Sequence, residues 1–255
     1  MSDRQTNYTI AENFELPSKG EIYSEKINPQ IELRSMTGRD EMKRLNPTNT
    51  PLKTLADIIE DCCIEKPKIH VYDMIFGDYE FLLHKLRIVT YGPDYKLSVI
   101  CPHCDEEVNT TVRLDDIKLR DFDIDNFNEI KTFKLPVSGN EISLNFSTPR
   151  MLETIESKSK ELKRKMKEVT INCDILARLL CIINTIDGKK FGSAELEYFI
   201  NNLPARDLNK ILNQADKLMG LVGLDTSINI TCPHCGEEVN TFFQFGPEFF
   251  KPTND

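Results

Sequence analysis

Cys101-Pro102-His103-Cys104-Asp105-Glu106-Glu107-Val108-Asn109-Thr110 returns 131 residues further on as Cys232-Pro233-His234-Cys235-Gly236-Glu237-Glu238-Val239-Asn240-Thr241, with nine of ten positions identical. Each Cys-x-x-Cys places two sulfurs on one tight turn, and two such turns supply the four thiolates of a closed tetrahedral shell. The spacing therefore predicts one structural Zn²⁺ per chain, held by Cys101, Cys104, Cys232 and Cys235. An alternating stretch leads into each pair, Tyr95 to Ile100 and Ser227 to Thr231. Another leaves it, Val108 to Leu114 after the first. That is the strand–turn–strand layout of a zinc ribbon. Gly236 suits the left-handed position after the second Cys, and Asp105 tolerates it better than most residues.

Outward from the cysteines the two halves follow the same order. Leu16-Pro17-Ser18-Lys19-Gly20 is matched by Leu135-Pro136-Val137-Ser138-Gly139 in its Leu-Pro and its Gly. An alternating strand follows each turn, Gln30 to Arg34 and Ile142 to Phe146, and helices follow each strand. Thr37 with Asp40 opens a helix through Leu45. Another starts at Pro51 behind Thr50, with Leu52, Leu55, Ile58 and Ile59 as its buried stripe. Asp78 is expected to cap a third, which Gly92-Pro93 ends. In the second half a charged helix runs from Arg150 to Glu168, with Met151, Ile155, Leu162 and Met166 on one side. Cys173 to Ile186 reads as a core helix, Ser193 caps another, and Ala205 to Met219 is the last. Gly223 lies as far beyond Gly92 as the cysteine pairs lie apart.

The expected fold is α+β and internally duplicated: two helical lobes with short antiparallel β-hairpins, joined by the four-cysteine site. The expected organisation is a flexible arm over 1–13, a first repeat over 14–118, an acidic linker over 119–133, a second repeat over 134–246 and a tail over 247–255.

Composition bounds the function. The 255 residues are 40% apolar and 29% charged, with a net charge of −9 and no Trp. This is the profile of an ordinary globular chain. The apolar run from Ile175 to Ile183 is broken by Arg178, so no membrane-spanning segment is expected. The stretch from Met1 to Gln5 has no apolar h-region, so no secretory signal is expected. Paired cysteines in a reducing cytoplasm favour metal over disulfide. Zinc capture by finger peptides releases about 10–16 kcal/mol at neutral pH, enough to clamp two lobes.

Other chemistries fit less well. Cys-Pro-His-Cys is also the active-site tetrapeptide of oxidising thioredoxin-fold enzymes, but there the first Cys opens a helix. Here a strand-like stretch follows. A zinc-ribbon nucleic-acid-binding regulator is the principal alternative, yet the paired Glu after each knuckle repel phosphate. His103 and His234, between ligating cysteines, are expected to face solvent or to support the ligands without touching the ion. Cys62, Cys63, Cys173 and Cys181 lie in apolar stretches and are expected to be core residues. His70 and His84 have no catalytic partner at a suggestive spacing. No phosphate loop, zinc-protease helix or nucleophile elbow occurs, and no enzyme activity is expected. Phe242, Phe243, Phe245, Phe249 and Phe250 crowd the C-terminus. Phe249 and Phe250, beyond Pro247, are candidate anchors for a partner protein, with folding back onto their own lobe as the alternative.

Glu15-Leu16-Pro17-Ser18-Lys19-Gly20, then a strand, Arg34-Ser35-Met36-Thr37, an acidic helix, and Leu86-Arg87-Ile88-Val89-Thr90-Tyr91-Gly92 with Tyr95 ahead of the first Cys-Pro-x-Cys resemble the T-even-type contractile-tailed phage baseplate proteins. That family includes baseplate hub subunits and hub-assembly proteins. Ser35 stands where the family pattern has Pro. The likeness is good up to the first cysteine pair and looser beyond it. It implies a non-enzymatic role in building the baseplate hub, through contacts with hub, spike or tape-measure proteins. The implied location is the tail baseplate of the virion, or the host cytoplasm during assembly. Neither nucleic acid nor a membrane is an expected partner.

Overall fold

In a computed structural model the described residues are 10–165, 171–243, 245 and 247–250. Among them the chain forms eight α-helices and nine short strands in an α+β arrangement. The expected arm and tail fall largely outside the described residues, as do residues 166–168 of the expected charged helix.

The N-terminal elements begin with the hairpin β1 (Ala11–Glu15) and β2 (Gln30–Arg34), in which Phe14 faces Ile31. Alternation in β2 turns Ile31 and Leu33 into the core and Glu32 outward, as its period of two requires. Helix α1 (Gly38–Leu45) starts where Asp40 accepts both the Thr37 backbone N–H (2.9 Å) and the Thr37 hydroxyl (2.8 Å). Helix α2 (Pro51–Cys62) buries Leu55, Ala56, Ile58, Ile59 and Cys62. Just after it, Cys63 bridges to Leu33 along the edge of β2. A short 3₁₀ turn (Val71–Asp73) precedes α3 (Phe76–Tyr91), which Gly92 ends with φ +86°. The hairpin β3 (Asp94–Ile100) and β4 (Glu107–Arg113) then encloses the first cysteine pair.

The C-terminal elements also open on a hairpin and close on a cysteine hairpin, with one more strand and one more helix between. Strand β5 (Thr132–Lys134) pairs with β6 (Glu141–Leu144), and β7 (Ile183–Ile186) pairs with the other edge of β6. Between them lie α5 (Pro149–Lys165) and α6 (Cys173–Ile182). After β7 come α7 (Ser193–Asn201), α8 (Ala205–Met219) and the second cysteine hairpin, β8 (Ser227–Thr231) with β9 (Glu238–Phe242).

Four local expectations are corrected. The helix expected over Cys173–Ile186 stops at Ile182. Ile183-Asn184-Thr185-Ile186 is β-branched at three of its four positions and goes to the open edge of β6 instead. The acidic linker is not featureless: it holds α4 (Ile124–Lys131), capped by Asp123 and anchored by buried Phe127, and β5 begins inside its expected range. Ser193 is the first residue of α7 rather than its cap; Gly192 precedes it and donates its N–H to the Glu195 carboxylate (3.1 Å).

The fourth is Asp78, which sits inside the first turn of α3, buried, and does not cap it. It accepts the Ser18 N–H (3.0 Å), the Ser18 hydroxyl and the Tyr23 hydroxyl (2.6 Å). Asp207 holds the same third position in α8. It accepts the Val137 and Ser138 N–H groups, both at 2.9 Å. In each set of elements, therefore, a carboxylate on the helix before the cysteine hairpin ties down the Leu-Pro turn.

Gly223 does not repeat the helix-ending role of Gly92. It packs against Gly77 so closely that a Cβ on Gly77 would lie 2.2 Å from the Val222 carbonyl oxygen. The main hydrophobic core is continuous, drawing buried residues from Leu16 through to Phe250. The cysteine hairpins have a second, small core of their own: Cys101, Val108, Ile230, Cys232 and Val239.

Candidate metal centre

Each knuckle is built by two backbone hydrogen bonds. The Cys101 N–H donates to Glu106 O and the Asp105 N–H to Cys101 O; Cys232 and Gly236 repeat this with Glu237 O and Cys232 O, all four at 2.9 Å. Closing the turn so tightly forces the residue after the second Cys into the left-handed region: Asp105 at φ +59° and Gly236 at φ +78°. Gly is free there, and Asp is among the few L-residues that adopt it readily.

The two knuckles meet face to face. Cys101 Sγ lies 3.7 Å from Cys235 Sγ, and Cys104 Sγ lies 3.8 Å from Cys232 Sγ. All four sulfurs fall within 4.8 Å of one another. A regular tetrahedron with metal–sulfur bonds of about 2.3 Å has edges of about 3.8 Å. The quartet thus has the dimensions of a four-thiolate shell, and its all-sulfur donors suit a soft or borderline ion. No two of these cysteines are joined as a disulfide; all eight in the chain are free.

Burial is graded across the quartet. Cys101 and Cys232, at the strand ends, are buried against the small core; Cys104 is half-buried and Cys235 exposed. Burial opposes ionisation of Cys232, but N–H groups of Cys235 and His234 outweigh it and bring the thiol down to about 6. For Cys104 the balance is reversed. The Glu106 N–H favours its thiolate, yet burial and hydrogen bonding among the neighbouring sulfurs push it up to about 12. A cation at the centre would remove that competition, since thiolates crowded together need a shared counter-charge.

The remaining candidates divide cleanly. His103 and His234 are exposed and contribute no atom to the cluster. Cys62, Cys63 and Cys173 are buried and Cys181 half-buried, and burial raises the Cys62 and Cys63 thiols to about 12. His70 lies on the surface between Asp57 (3.3 Å) and Glu60 (2.7 Å). His84 is buried, with Nε2 3.0 Å from Leu114 O. The turn of each cysteine pair runs into a strand, so neither first Cys gains the helix N-terminus that a thioredoxin-type thiol uses.

Phe249 and Phe250 do not stand free for a partner. They are 1% and 0% exposed. The Phe249 ring packs on Tyr95, Phe243, Phe245 and Phe250, and its carbonyl accepts from buried Arg87 Nε at 3.1 Å. Five aromatic rings bury more area against one another than an exposed pair could keep dry. Sequence reasoning missed Arg87, which reaches across from α3 to hold Phe249. Nothing in its helical context distinguishes it from a surface arginine.

Comparison with known proteins settles the family. The family model described as T4 bacteriophage base plate protein matches residues 8–251. The chain belongs to that family. The match extends through both cysteine pairs, whereas the sequence motifs carry the likeness well only as far as the first. No match was found among curated proteins or solved structures. Family membership implies a structural or assembly role, other phage tail and baseplate proteins as partners, and the virion tail as location. Among the described residues no helix is long and apolar enough to cross a membrane.

Proposed function

We propose that this protein is a non-enzymatic structural or assembly component of the contractile-tail baseplate hub, acting through protein–protein contacts and held together by one structural zinc. The observation that carries the metal reading is the sulfur quartet, whose cross-hairpin separations of 3.7 and 3.8 Å equal the edge of a zinc–thiolate tetrahedron. Cys101, Cys104, Cys232 and Cys235 are the ligands, and the ion ties the end of the N-terminal elements to the end of the C-terminal ones. Hub, spike or tape-measure proteins are the expected partners.

Metal analysis of the purified chain tests the zinc. About one zinc per chain is expected, with loss of the metal in Cys101→Ser. Stoichiometric iron, or no metal, would overturn it. Co-purification with individual hub, spike and tape-measure proteins tests the hub role; binding only to proteins outside the hub would sink it. Quantifying the chain in finished particles separates a virion subunit from an assembly factor left behind in the host cytoplasm.

The chain is also best read as two repeats, about 14–118 and 134–246, from one duplicated module. Support comes from the matched cysteine turns and from Asp78 and Asp207 at the same helical position, each holding its own Leu-Pro turn. Asp78→Ala should release the amides of Ser18 and Gly20 to hydrogen exchange, and Asp207→Ala those of Val137 and Ser138. If Asp207→Ala leaves its turn protected, the two carboxylates are not equivalent and the repeat reading fails.

A further inference from the structure

The two sets of elements correspond closely enough to show which surface answers to which. Thr37 precedes α1 and Thr148 precedes α5, each at the same interval beyond an inward-facing leucine, Leu33 and Leu144. Helix α1 is thus the counterpart of α5, with Arg39 answering to Arg150. Because Asp78 and Asp207 share a position, the segment ahead of α8, reaching back through α7, answers to the segment ahead of α3.

Within the chain these two roles meet once. The first turns of α5 dock on the segment ahead of α3. The Arg150 guanidinium lies 4.5 Å from the Tyr72 ring centre and pairs with Asp73. Buried Glu153 accepts the Tyr72 hydroxyl and the Leu52 N–H (2.7 Å). Ser147 O accepts the Phe76 N–H at 2.8 Å, and Phe146 meets Tyr23 edge-on at 5.9 Å. The contact is head to tail: the C-terminal elements lend their first helix, and the N-terminal elements lend the surface before their last helix.

A head-to-tail contact made once leaves one surface of each kind unused. The unused helix is α1, where Met42 and Leu45 are 68% and 64% exposed on one face, with Arg39 beside them. The unused receiving surface is a groove of about 690 Å³ along α7, lined by Phe191, Tyr198, Phe199, Leu203 and Pro204, with Glu195 in its wall. Tyr198 is 74% exposed. The two exposed apolar side chains of an otherwise charged helix match the apolar lining of the groove, and Arg39 on one and Glu195 on the other are of opposite sign.

The geometry points to a second copy of this chain as the occupant: α1 of one molecule seats in the α7 groove of the next, as α5 seats ahead of α3 within one, with Arg39 in the place of Arg150 and apolar Met42 where α5 has Glu153. This rests on the two-repeat reading above. Because the two surfaces differ, association proceeds by a heterologous contact that closes into a ring or continues as a filament.

Sedimentation of the full chain tests this with two variants at exposed positions, M42D/L45D on the helix and Y198D in the groove. The wild-type mass is expected to rise with concentration, and each variant alone to remain monomeric with an unchanged melting temperature. Mixed in equal amounts, the variants should give a species of about twice the monomer mass, because one retains a working groove and the other a working helix. A wild-type chain monomeric at every concentration overturns the interface. So does association that survives both substitutions, or a mixture that stays monomeric. A monomer that still binds tail proteins, and whose aspartate turns respond as expected, would sink this interface alone and leave the baseplate and repeat readings standing.

Discussion

At His84 a single buried ring couples the fold to acid. Its Nε2–H donates to Leu114 O at 3.0 Å, its ring meets Phe245 edge-on at 6.0 Å, and Nδ1 has no partner among the described residues. Burial, with Lys85 adjacent, lowers its pKa to about 4. An unfolded His titrates near 6.5, so between about 4 and 6.5 the unfolded chain binds the extra proton and stability rises with pH. The contribution is complete above that window and is lost as pH falls through it, to the extent of about 3 kcal/mol. Glu80 acts in the opposite sense. Burial raises its carboxyl to about 7, so the folded state holds the proton and stability declines as pH rises over an overlapping range. His84→Gln keeps a donor for Leu114 O and removes the titration. Urea midpoints should converge for the two proteins near neutral pH, with the variant losing less stability by about pH 4.5. Parallel pH curves would mean that the ring is already protonated or solvated in the native state. The sequence gives no hint of this site: its helical spacing marks His84 as one more position on α3, and only the return of Leu114 and Phe245 closes it off.

At the scale of the element, local chemistry was legible wherever the deciding contacts were close in sequence. The Thr37–Asp40 cap, Pro51 at the head of α2 and both cysteine turns could be read directly, because each is fixed by neighbours within a few residues. Ile183–Ile186 could not, since it continues the apolar run of α6 and its isoleucines suit a core helix or a sheet edge equally. The open flank of β6, far away in sequence, decided it. Asp78 failed for a similar reason: its partners Ser18 and Tyr23 lie on a distant turn. Gly77 offers a test in which a local rule and a tertiary contact disagree. Propensity alone makes Gly→Ala in a helix favourable by about 1 kcal/mol. A Cβ at this site would lie 2.2 Å from the Val222 carbonyl oxygen, a backbone atom that cannot rotate away. Gly77→Ala should therefore destabilise by about 1–3 kcal/mol, and an unchanged or higher melting temperature would refute the close approach. In the knuckles the signs divide between the copies. Gly236→Ala, at φ +78°, should cost about 1 kcal/mol, whereas Asp105→Gly, at φ +59°, should be neutral or better. Chemical denaturation with zinc present checks both, and equal penalties would show that the two turns are not strained alike.

For the whole molecule the question is what an ion at the cysteine quartet would hold. The four hairpin strands have seven, seven, five and five residues, and the core they share is small: Cys101, Val108, Ile230, Cys232 and Val239, with Leu97, Val99, Cys104 and Ile228 packed against it. This small core is the only buried apolar cluster among the described residues outside the main one, so the paired hairpins are where a bound ion would add most to stability. The rest of the chain is built differently. Its core runs unbroken from Leu16 to Phe250, with Glu153 and Arg150 crossing between the two sets of elements and Arg87 fastening the C-terminal aromatics. Such long-range continuity leaves no trace in local sequence pattern, which is why the sequence showed the α+β elements and the clustered cysteines but not the shared core. Stripping the metal with a strong chelator should consequently act regionally. Hydrogen exchange should accelerate in β3, β4, β8 and β9 while amides of α3, α6 and α8 keep their protection, and the far-ultraviolet dichroism should lose little helix. Re-adding zinc should restore the hairpins. Uniform loss of protection in a single transition would mean that the ion supports the entire fold. No change at all would mean that the thiols pack without one, and the tetrahedral spacing of the sulfurs would then have no energetic consequence.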